Sequence, residues 1–504
     1  MTAVAQKPMV AETRTEPGGS WAAVWALALF ESRRLLTRVP VLLAFALYLG
    51  WTVWRGDKAW GDFPALQDAD RATQGTPLLV GLAVLLSVNH AALRSHRHGT
   101  DAHFAVLVLP PWRRTAARAL SALAAALVTA VCVAVQFGRE ALRPGAVGHG
   151  SVAELLVGPL TVLLFGLLGL LVAGLVRSAL VAPLLIVFCL FLFVASTGTG
   201  DGGTQWLMPV VGEASTNTLP TDLIGRPAAS HALYLTGLAL SLGLLALLVT
   251  GGRKPVLLAA LAGALALTTV GATGQSGGVP PALAKARERA SVHPEQVQTC
   301  VRRDGSTYCA YPEWEPRVAE WARVVAGVRS LAGGAAHERP VVVRQRVDAR
   351  YGLSGDAALE SLKRPYEVTV GTQWGGNRVP EFSAAVAAVL IAGDEETATS
   401  ICDGRIVPVM WLAVGWESEP LDALRRVRLN DTITGSDSVL QPTNGLFMTE
   451  AQTQVLRDLL DLPRGEATAR VKAHWAELTA PGVTAAGAAR LLDLPAPEGE
   501  DKCL

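Results

Sequence analysis

The sequence predicts an α-helical polytopic membrane domain followed by a soluble α+β domain. Seven apolar runs lie between residues 39 and 273 of the 504-residue chain, and no run of comparable length follows them. A helix needs about 20 apolar residues to cross the hydrocarbon core of a bilayer, so these runs predict a chain that crosses the membrane several times. Four of the six cysteines lie in the C-terminal region, at Cys300, Cys309, Cys402 and Cys503.

The overall charge argues against a nucleic-acid partner. The chain has 44 Lys and Arg against 43 Asp and Glu, a formal net charge of +1, whereas nucleic-acid-binding proteins usually carry a strong basic excess. Residues 1–20 are polar and contain no short apolar core after a basic start. They therefore predict a disordered cytoplasmic tail and not a cleavable signal peptide, which leaves membrane insertion to the spans themselves.

The apolar runs predict a six-span domain over residues 21–250 and a seventh, tethering span within residues 251–275. The predicted spans are residues 39–54, 77–93, 116–137, 153–176, 179–197, 231–250 and 255–273. The fourth span carries no charge from Leu155 to Val176. Glycine and proline inside some spans are compatible with membrane helices, because neighbouring helices satisfy the freed backbone groups.

Basic residues predict the orientation, because cytoplasmic loops of membrane proteins are enriched in Lys and Arg. With the N-terminus in the cytoplasm, the cytoplasmic segments carry Arg33, Arg34, Arg38, Arg94, Arg97, Arg113, Arg114, Arg118, Arg177, Arg253 and Lys254. The longer opposite segments carry Arg55, Lys58, Arg71, Arg139, Arg143 and Arg226. This bias of about two to one favours a cytoplasmic N-terminus. Seven spans then place residues 276–504 outside the plasma membrane. The Arg-rich, Lys-poor composition indicates a bacterial cell.

Residues 21–38 precede the first span and predict a helix lying in the cytoplasmic interface. Trp21 and Trp25 suit headgroup depth, and the first of two segments would end before Pro40. The charged side of this helix, at helical spacing, comprises Glu31, Arg34 and Arg38. The alternative is that these residues form the first part of one long, tilted span.

The loop between the second and third spans, residues 94–114, is basic. Its apolar stretch is too short to cross the membrane. Thr100 or Asp101, following Gly99, has the chemistry of a helix N-cap, and Pro110 would close the segment. We therefore expect a short helix docked at the cytoplasmic face of the membrane. Another protein can dock on such a helix and exert force on it.

This loop resembles the first cytoplasmic loop of the ABC-2 type transporter permeases. The residues that carry the resemblance are, in order, Arg97, Gly99, Thr100, Asp101, Leu107, Pro110, Arg113 and Arg114. The layout over residues 20–250 is also similar to that family, with an N-terminal elbow helix, six spans and a longer outer loop at residues 196–230. One difference is that Asp101-Ala-His-Phe stands where the family has a Glu-rich helix.

The resemblance implies the membrane subunit of an exporter that moves its substrate out of the cell. The family's loop touches a separate cytoplasmic ATPase, so the implied coupling residues are Arg94 together with the residues named for the motif. A homodimer, or a heterodimer with a second permease, would form the path. The chain contains no Gly-x-x-x-x-Gly-Lys-Ser/Thr phosphate loop, so ATP hydrolysis would come from the partner, and we expect no cofactor.

Other features favour a passive subunit over an ion-coupled pump or a metal site. The ionisable residues of the spans lie near span ends, as at His90, Glu154 and His231, whereas proton and ion routes place such residues inside the membrane. His96, His98 and His103 lie among arginines that would repel a cation, so solvated loop histidines are the preferred interpretation over metal ligands.

Cys300 and Cys309 predict a disulfide across a β-hairpin. Asp304-Gly305 is the preferred two-residue hairpin turn, and counting outward from it pairs Cys300 with Cys309 at a non-hydrogen-bonded position. Such positions bring the Cα atoms to about 4.5 Å, within disulfide geometry. The alternative is a structural zinc site, but the spacing is unlike that of zinc ligands. A disulfide requires an oxidising compartment, in agreement with the outside placement of this region.

We expect a second disulfide between Cys402 and Cys503, and small buried hydrophobic roles for Cys132 and Cys189 in the spans. Elsewhere the C-terminal region predicts helices at 317–331, 383–392, 395–401, 450–460, 466–478 and 484–494, and strands at 340–347 and 366–370. Residues 276–504 contain no complete His-Glu-x-x-His or Gly-x-Ser-x-Gly motif, so we predict no catalytic residues. The alternative function is a membrane-anchored extracytoplasmic sensor or assembly protein without transport activity.

Overall fold

The computed structural model describes residues 19–58, 64–100, 109–196, 203–211, 218–252, 254–354, 359–372 and 379–502. Residues 1–18, most of the predicted tail, lie outside these ranges, and Gly19 and Ser20 already belong to the first helix. The helices of the membrane half are α1 (Gly19–Leu36), α2 (Val39–Lys58), α3 (Leu66–Ala72), α4 (Pro77–Ala92), α5 (Arg94–Arg97), α6 (Pro111–Ala141), α7 (Val152–Leu175), α8 (Val181–Ser196), α9 (Thr221–Ile224), α10 (Ala228–Val249) and α11 (Pro255–Gln275).

Within the described residues, five helical segments are long and apolar enough to cross a membrane. They are Leu66–Ala92, Pro111–Ala141, Val152–Leu175, Ala228–Val249 and Pro255–Gln275. A sixth results if α1 and α2, which meet at 61°, are counted as one bent span. Each of the seven predicted spans falls on a helix, but α8 is a shorter apolar helix, Val181–Ala195. The chain therefore has the five or six apolar helices expected of a membrane protein.

The predicted break before the first span is observed at Thr37 and Arg38, which separate α1 from α2. Pro40 is the second residue of α2. Large apolar side chains of α1 are exposed on the protein surface, as at Trp25 and Leu29. Helix α1 packs along α6, through Val24, Ala28 and Ala117. The N-terminal segment is therefore a separate helix with one apolar face left open.

Helix α7 is the centre of the membrane half, and small residues allow its neighbours to approach closely. A Cβ on Gly169 would lie 2.5 Å from the carbonyl oxygen of Leu85 in α4, and one on Gly166 would lie 2.7 Å from the Cβ of Ala122 in α6. Small residues at such crossings let membrane helices pack by direct backbone contact. The bundle α4–α6–α7 is consequently a tightly packed unit.

The C-terminal region combines two small sheets with helices. Its helices are α12 (Pro281–Val292), α13 (Val318–Leu331), α14 (Val379–Ala392), α15 (Glu395–Thr399), α16 (Ile406–Val414), α17 (Pro420–Val427), α18 (Glu450–Leu460), α19 (Arg464–Ala473), α20 (Trp475–Leu478) and α21 (Ala485–Leu491). Its strands are β1 (Thr299–Arg303), β2 (Ser306–Ala310), β3 (Val342–Gln345), β4 (Glu367–Val370), β5 (Asp437–Val439) and β6 (Leu446–Met448).

Strands β1 to β4 form a four-stranded sheet in sequence order. The β1–β2 pair is antiparallel, while β3 pairs in parallel with both β2 and β4. Helix α13 connects β2 to β3, and α14 follows β4 and packs against α16 in the core. The predicted α+β character of this region is thus observed.

Several elements differ from their predicted bounds. His474 interrupts the predicted helix 466–478 and separates α19 from α20, and the last helix ends at Leu491. Helices α12, α16 and α17 and the β5–β6 hairpin were not predicted. Every residue of α16 is buried, and a helix that is apolar on all sides has no amphipathic period to reveal it.

The core of the C-terminal region continues into the loops of the membrane half. Val147, Leu219 and Leu223 belong to the same buried cluster as Trp314 and Trp321. The predicted boundary at residue 276 therefore marks a change in the character of the sequence. The two halves nevertheless share one hydrophobic core.

Candidate functional site

One end of the helix bundle carries the C-terminal region. Three segments between helices meet there: Leu66 N donates to Val147 O at 2.8 Å, and Gln67 Nε2 donates to Leu219 O at 2.9 Å. His149 Nδ1 lies 3.1 Å from Glu313 Oε1 in the C-terminal region. The segments 64–76, 143–151 and 218–224 therefore lie at the same end of the bundle as the described part of the C-terminal region.

The opposite end is basic and aromatic, and we call it the basic end. The rings of Trp21 in α1 and Trp112 in α6 lie 6.2 Å apart. The guanidinium of Arg113 lies 5.9 and 5.2 Å from these two rings, and Lys254 Nζ lies 5.4 Å from the Trp112 ring. The start of α1, the start of α6 and the start of α11 thus converge at this end through cation–π contacts.

The predicted coupling loop begins at the basic end. Arg94 and Arg97 lie in the single turn of α5, directly after α4. Gly99 has a φ of +64°, a left-handed conformation that glycine adopts without steric cost. The chain then folds back, since the amide and the hydroxyl of Thr100 both donate to Ser95 O, at 2.9 and 3.3 Å. The side chain of Arg97, the last residue of α5, is exposed.

The structure describes only part of the loop that follows. Asp101, His103 and Leu107 lie outside the described residues. Pro110 is extended, with φ −66° and ψ 154°, and stands immediately before α6. The predicted short helix that Pro110 would close therefore lies mostly outside the described residues, and α6 begins at Pro111, five residues before the predicted third span. Arg113 and Arg114 consequently lie in the first helical turn.

Two polar contacts tie the elbow between α1 and α2 to the end of α4. Arg94 Nη2 lies 3.4 Å from Glu31 Oε2. Arg38 Nη1 donates to the carbonyl oxygen of Ser87 at 3.1 Å. Sequence reasoning placed Glu31 and Arg38 on one side of a helix but found neither partner. The ion pair therefore connects α5 to α1.

A small pocket lies beside these contacts, between α1, the turn that follows it, α4 and the first turns of α6. The described residues that line it are Glu31, Leu35, Arg38, Ser87, Val88, Ala91, Arg118 and Ser121. Of these, one is acidic and two are basic. Arg118 was predicted only as part of the charge bias, and no role was predicted for Ser87 or Ser121.

The end of the bundle that carries the C-terminal region contains a buried polar network that the sequence did not predict. Asp70 and Glu154 are 2% and 4% exposed. Asp70 accepts a hydrogen bond from Ser151 N at 2.9 Å and lies 3.8 Å from Arg226, while Gln74 donates to Glu154. Hydrogen bonds between buried polar groups of different segments hold those segments together. This network fastens the connection α3–α4 to the segments before α7 and α10.

The predicted hairpin disulfide is confirmed. Cys300 pairs with Cys309 in the β1–β2 register, and the two are disulfide-bonded with Cα atoms 4.0 Å apart. Asp304 and Gly305 have φ of 49° and 78°, as the predicted turn requires. Cys402 is also disulfide-bonded, and Cys503, its expected partner, lies outside the described residues. Cys132 and Cys189 are free thiols.

No group of three or more potential metal-ligating side chains occurs within the described part of the chain. Comparisons with protein-family models, curated proteins and solved structures found no match for this chain.

Proposed function

We propose that this chain is the membrane subunit of an ABC-2-type exporter, driven by a separate cytoplasmic ATPase. The observation that carries the proposal is the ion pair between Glu31 and Arg94. It connects the elbow helix α1 to the basic turn α5, at the bundle end away from the C-terminal region. A partner that pushes on α5 would act on both helices at once.

The force would then pass into the bundle by direct packing. Helix α4, which runs into α5, contacts α7 closely at Gly169. Helix α1 packs on α6 through Val24, Ala28 and Ala117. Because these contacts leave no compressible space, a displacement at the basic end would tilt α4 and α6 against α7.

The proposal includes seven crossings with a cytoplasmic N-terminus. Support comes from the segments that meet the C-terminal region. Segment 143–151 precedes α7 and residues 218–224 follow α8 in the chain, and both lie at the same end of the bundle. Helices α7 and α8 must therefore run in opposite senses across the bundle. A 16-residue helix such as α8 is about 24 Å long.

The sidedness of the proposal is supported by two independent features. The basic end carries Arg94, Arg97 and Arg113, as cytoplasmic segments do. The other end carries a region with the disulfide Cys300–Cys309, which is stable in an oxidising compartment. We therefore assign the basic end to the cytoplasm and residues 276–504 to the outside of the bacterial plasma membrane.

A second permease subunit is part of the proposal, either a second copy or a homologue. Exposed apolar side chains on α2, α8 and α11, among them Leu47, Phe191 and Val270, provide surfaces for a helix partner or for lipid. The C-terminal region would cap the exit or engage the outgoing substrate. Its contacts with the outer segments, such as Glu313 with His149, would link it to the moving helices.

The proposal is tested by purifying the tagged full-length chain from its native cells in mild detergent and measuring co-purified ATPase activity. We expect Arg97→Glu to abolish the co-purified activity, because Arg97 is exposed on the coupling turn. The charge reversal Arg113→Glu serves as a second test at the start of α6. Arg302→Glu, on the exposed strand β1, is the matched control. ATPase binding that survives Arg97→Glu and Arg113→Glu would rule out the coupling role.

One observation favours the alternative, a membrane-anchored extracytoplasmic sensor or assembly protein. Arg287 donates to the carbonyl oxygens of Leu223 and Ile224, at 2.8 and 2.6 Å, so the C-terminal region is held firmly on the membrane half. A sensor would use this contact to pass a signal inward. The absence of any ATPase from the wild-type preparation would favour this function over export.

A further inference from the structure

Three helices begin side by side at the basic end, and none of them has an acidic residue in its first turn. The starts of α1, α6 and α11 are connected there through the rings of Trp21 and Trp112 and the charges of Arg113 and Lys254. The first turns of all three helices lack Asp and Glu. The N-terminus of a helix carries about half a positive elementary charge, which acidic residues usually offset. The end of α10, in the turn before α11, offsets one of these three helix ends.

Two side-chain cations add to this positive charge. Arg113 lies in the first turn of α6, and Lys254 directly precedes α11. Their charged groups lie 5.2 and 5.4 Å from the same ring, that of Trp112. Within the described ranges no carboxylate pairs with either cation, and the buried Nε of Arg113 has no hydrogen-bond partner. Since cations beside helix N-termini are unfavourable, this cluster is a binding site for an anion.

The surroundings of the cluster indicate that the anion comes from the bilayer. Trp21 and Trp25 in α1 are 52% and 58% exposed. Val256 and Leu258, which follow Lys254 in α11, are 75% and 57% exposed. The cations therefore border open apolar surface on two helices. Exposed tryptophans and basic residues at such a border are typical of the depth of lipid headgroups.

We propose that Arg113 and Lys254, held on the ring of Trp112, bind the phosphate of an anionic phospholipid at the membrane surface. The guanidinium and the ammonium would both contact phosphate oxygens. The acyl chains would lie along the exposed apolar faces of α1 and α11. Such a lipid would join α11, the last helix before the C-terminal region, to the elbow helix α1.

This proposal requires a membrane-embedded chain but no ATPase partner, so its failure would leave the proposed function untouched. Lys254 has no part in the predicted coupling loop and is therefore the main position for the test. Lys254 is exposed, and its replacement should not disturb folding.

The test measures lipid binding to the purified full-length chain by native mass spectrometry. Phosphatidylglycerol and phosphatidylcholine with identical acyl chains are titrated separately. We expect the wild type to prefer phosphatidylglycerol. Lys254→Gln should weaken the binding of that lipid about fivefold and leave phosphatidylcholine unchanged, as expected for the loss of one interfacial cation. Lys285→Gln is the matched control, because Lys285 is an exposed lysine of α12 in the C-terminal region.

A second variant distinguishes a built site from a diffuse positive surface. Trp112→Leu removes the ring on which both cations lie but changes no charge, so it should also weaken phosphatidylglycerol. If this variant is not monodisperse, Arg113→Lys decides the question, because it keeps the charge and loses the planar guanidinium. Equal effects of Lys254→Gln and Lys285→Gln would overturn the proposal. Unchanged binding in the Trp112 or Arg113 variant would overturn it as well.

A final arm separates lipid from free anions. Inorganic phosphate or sodium chloride is added to the lipid-free protein at equal ionic strength, and thermal unfolding is followed. Stabilisation by phosphate that Lys254→Gln abolishes, without a preference for phosphatidylglycerol, would identify a free-anion site and overturn the lipid assignment. Failure of both phosphatidylglycerol and phosphate to bind would also overturn it, in favour of an acidic segment of a partner protein.

Discussion

Arg38, in the turn between α1 and α2, donates a hydrogen bond of 3.1 Å to the carbonyl oxygen of Ser87, 49 residues later in the chain. The carbonyl belongs to the last full turns of α4, just before the helix leads into α5. Together with the Glu31–Arg94 ion pair, this bond fixes the angle between the elbow helix and the bundle. The basic end is therefore a joined unit rather than a set of separate loops.

The Glu31–Arg94 pair should show a measurable but small coupling energy. Arg94 is 29% exposed and the contact is 3.4 Å long, so we expect at most about 1 kcal/mol. A double-mutant cycle of Glu31→Gln and Arg94→Gln, followed by thermal unfolding in detergent, measures it. The charge swap Glu31→Arg with Arg94→Glu should recover most of the loss. Strictly additive single variants would show that the pair does not link α1 to α5.

Gly169 should tolerate no side chain. Gly169→Ala would bring a Cβ against the carbonyl oxygen of Leu85 and force α7 away from α4, at a cost of about 1–3 kcal/mol. Gly263, in α11, has nothing within 4 Å of an added Cβ. Gly263→Ala is therefore the matched control and should leave the unfolding temperature unchanged or slightly raised. The same temperature for both variants would contradict the close α4–α7 contact.

The Cys300–Cys309 disulfide should stabilise the β1–β2 hairpin and report on which side of the membrane this hairpin lies. Closing a loop with a sequence separation of 9 contributes about 2–3 kcal/mol in the chain-entropy model. The double variant Cys300→Ser with Cys309→Ser should lower the unfolding temperature. Cys132→Ser and Cys189→Ser are the controls, because they remove free thiols and leave the cross-link in place.

The sidedness follows from labelling intact cells with a membrane-impermeant maleimide after mild reduction. We expect Cys300 and Cys309 to be labelled only after reduction. Labelling that requires broken cells would place the hairpin in the cytoplasm and reverse the proposed orientation.

Glu395 should make the C-terminal region less stable as the pH rises. Burial raises the pKa of this carboxyl above its ordinary value of 4.5, although hydrogen bonds from the amides of Leu362 and Thr369 and the charge of Arg346 oppose the shift. Because the folded state holds the proton more tightly, the stabilisation is complete below the unfolded pKa. It is lost as the pH rises through the folded pKa.

Glu395→Gln removes this titration. Its unfolding temperature should therefore fall less than that of the wild type when the pH is raised from below 4.5 towards neutrality. Glu396→Gln, at the neighbouring exposed position, is the control and should follow the wild type. Parallel pH profiles for all three proteins would show that the burial of Glu395 has no energetic consequence.

Features that depend on neighbouring residues were predictable from the sequence. The Cys300–Cys309 register follows from Asp304-Gly305, because a two-residue turn determines which residues face each other. The helices at the predicted spans follow from continuous apolar runs. By contrast, α16 was missed because its residues are buried on every side and show no period.

The candidate sites were predictable only in part. Arg94, Arg97, Gly99 and Pro110 were identified because a basic loop with helix-breaking residues interrupts the apolar pattern. Asp70 and Glu154 were not assigned a shared environment, since Asp70 lies 81 residues from Ser151, which donates to it. No local pattern indicates which buried polar groups will meet.

The helices long and apolar enough to cross a membrane, the α+β C-terminal region and the hairpin disulfide were predictable from the sequence alone, because apolar length and turn chemistry are properties of short segments. Only the tertiary structure decided that Glu31 faces Arg94, 63 residues away, and that Arg38, Ser87 and Arg118 share one pocket. The physical reason is that the packing of α1, α4 and α6 sets these distances. That packing depends on close contacts, such as Gly166 with Ala122, which are not encoded in the order of polar and apolar residues.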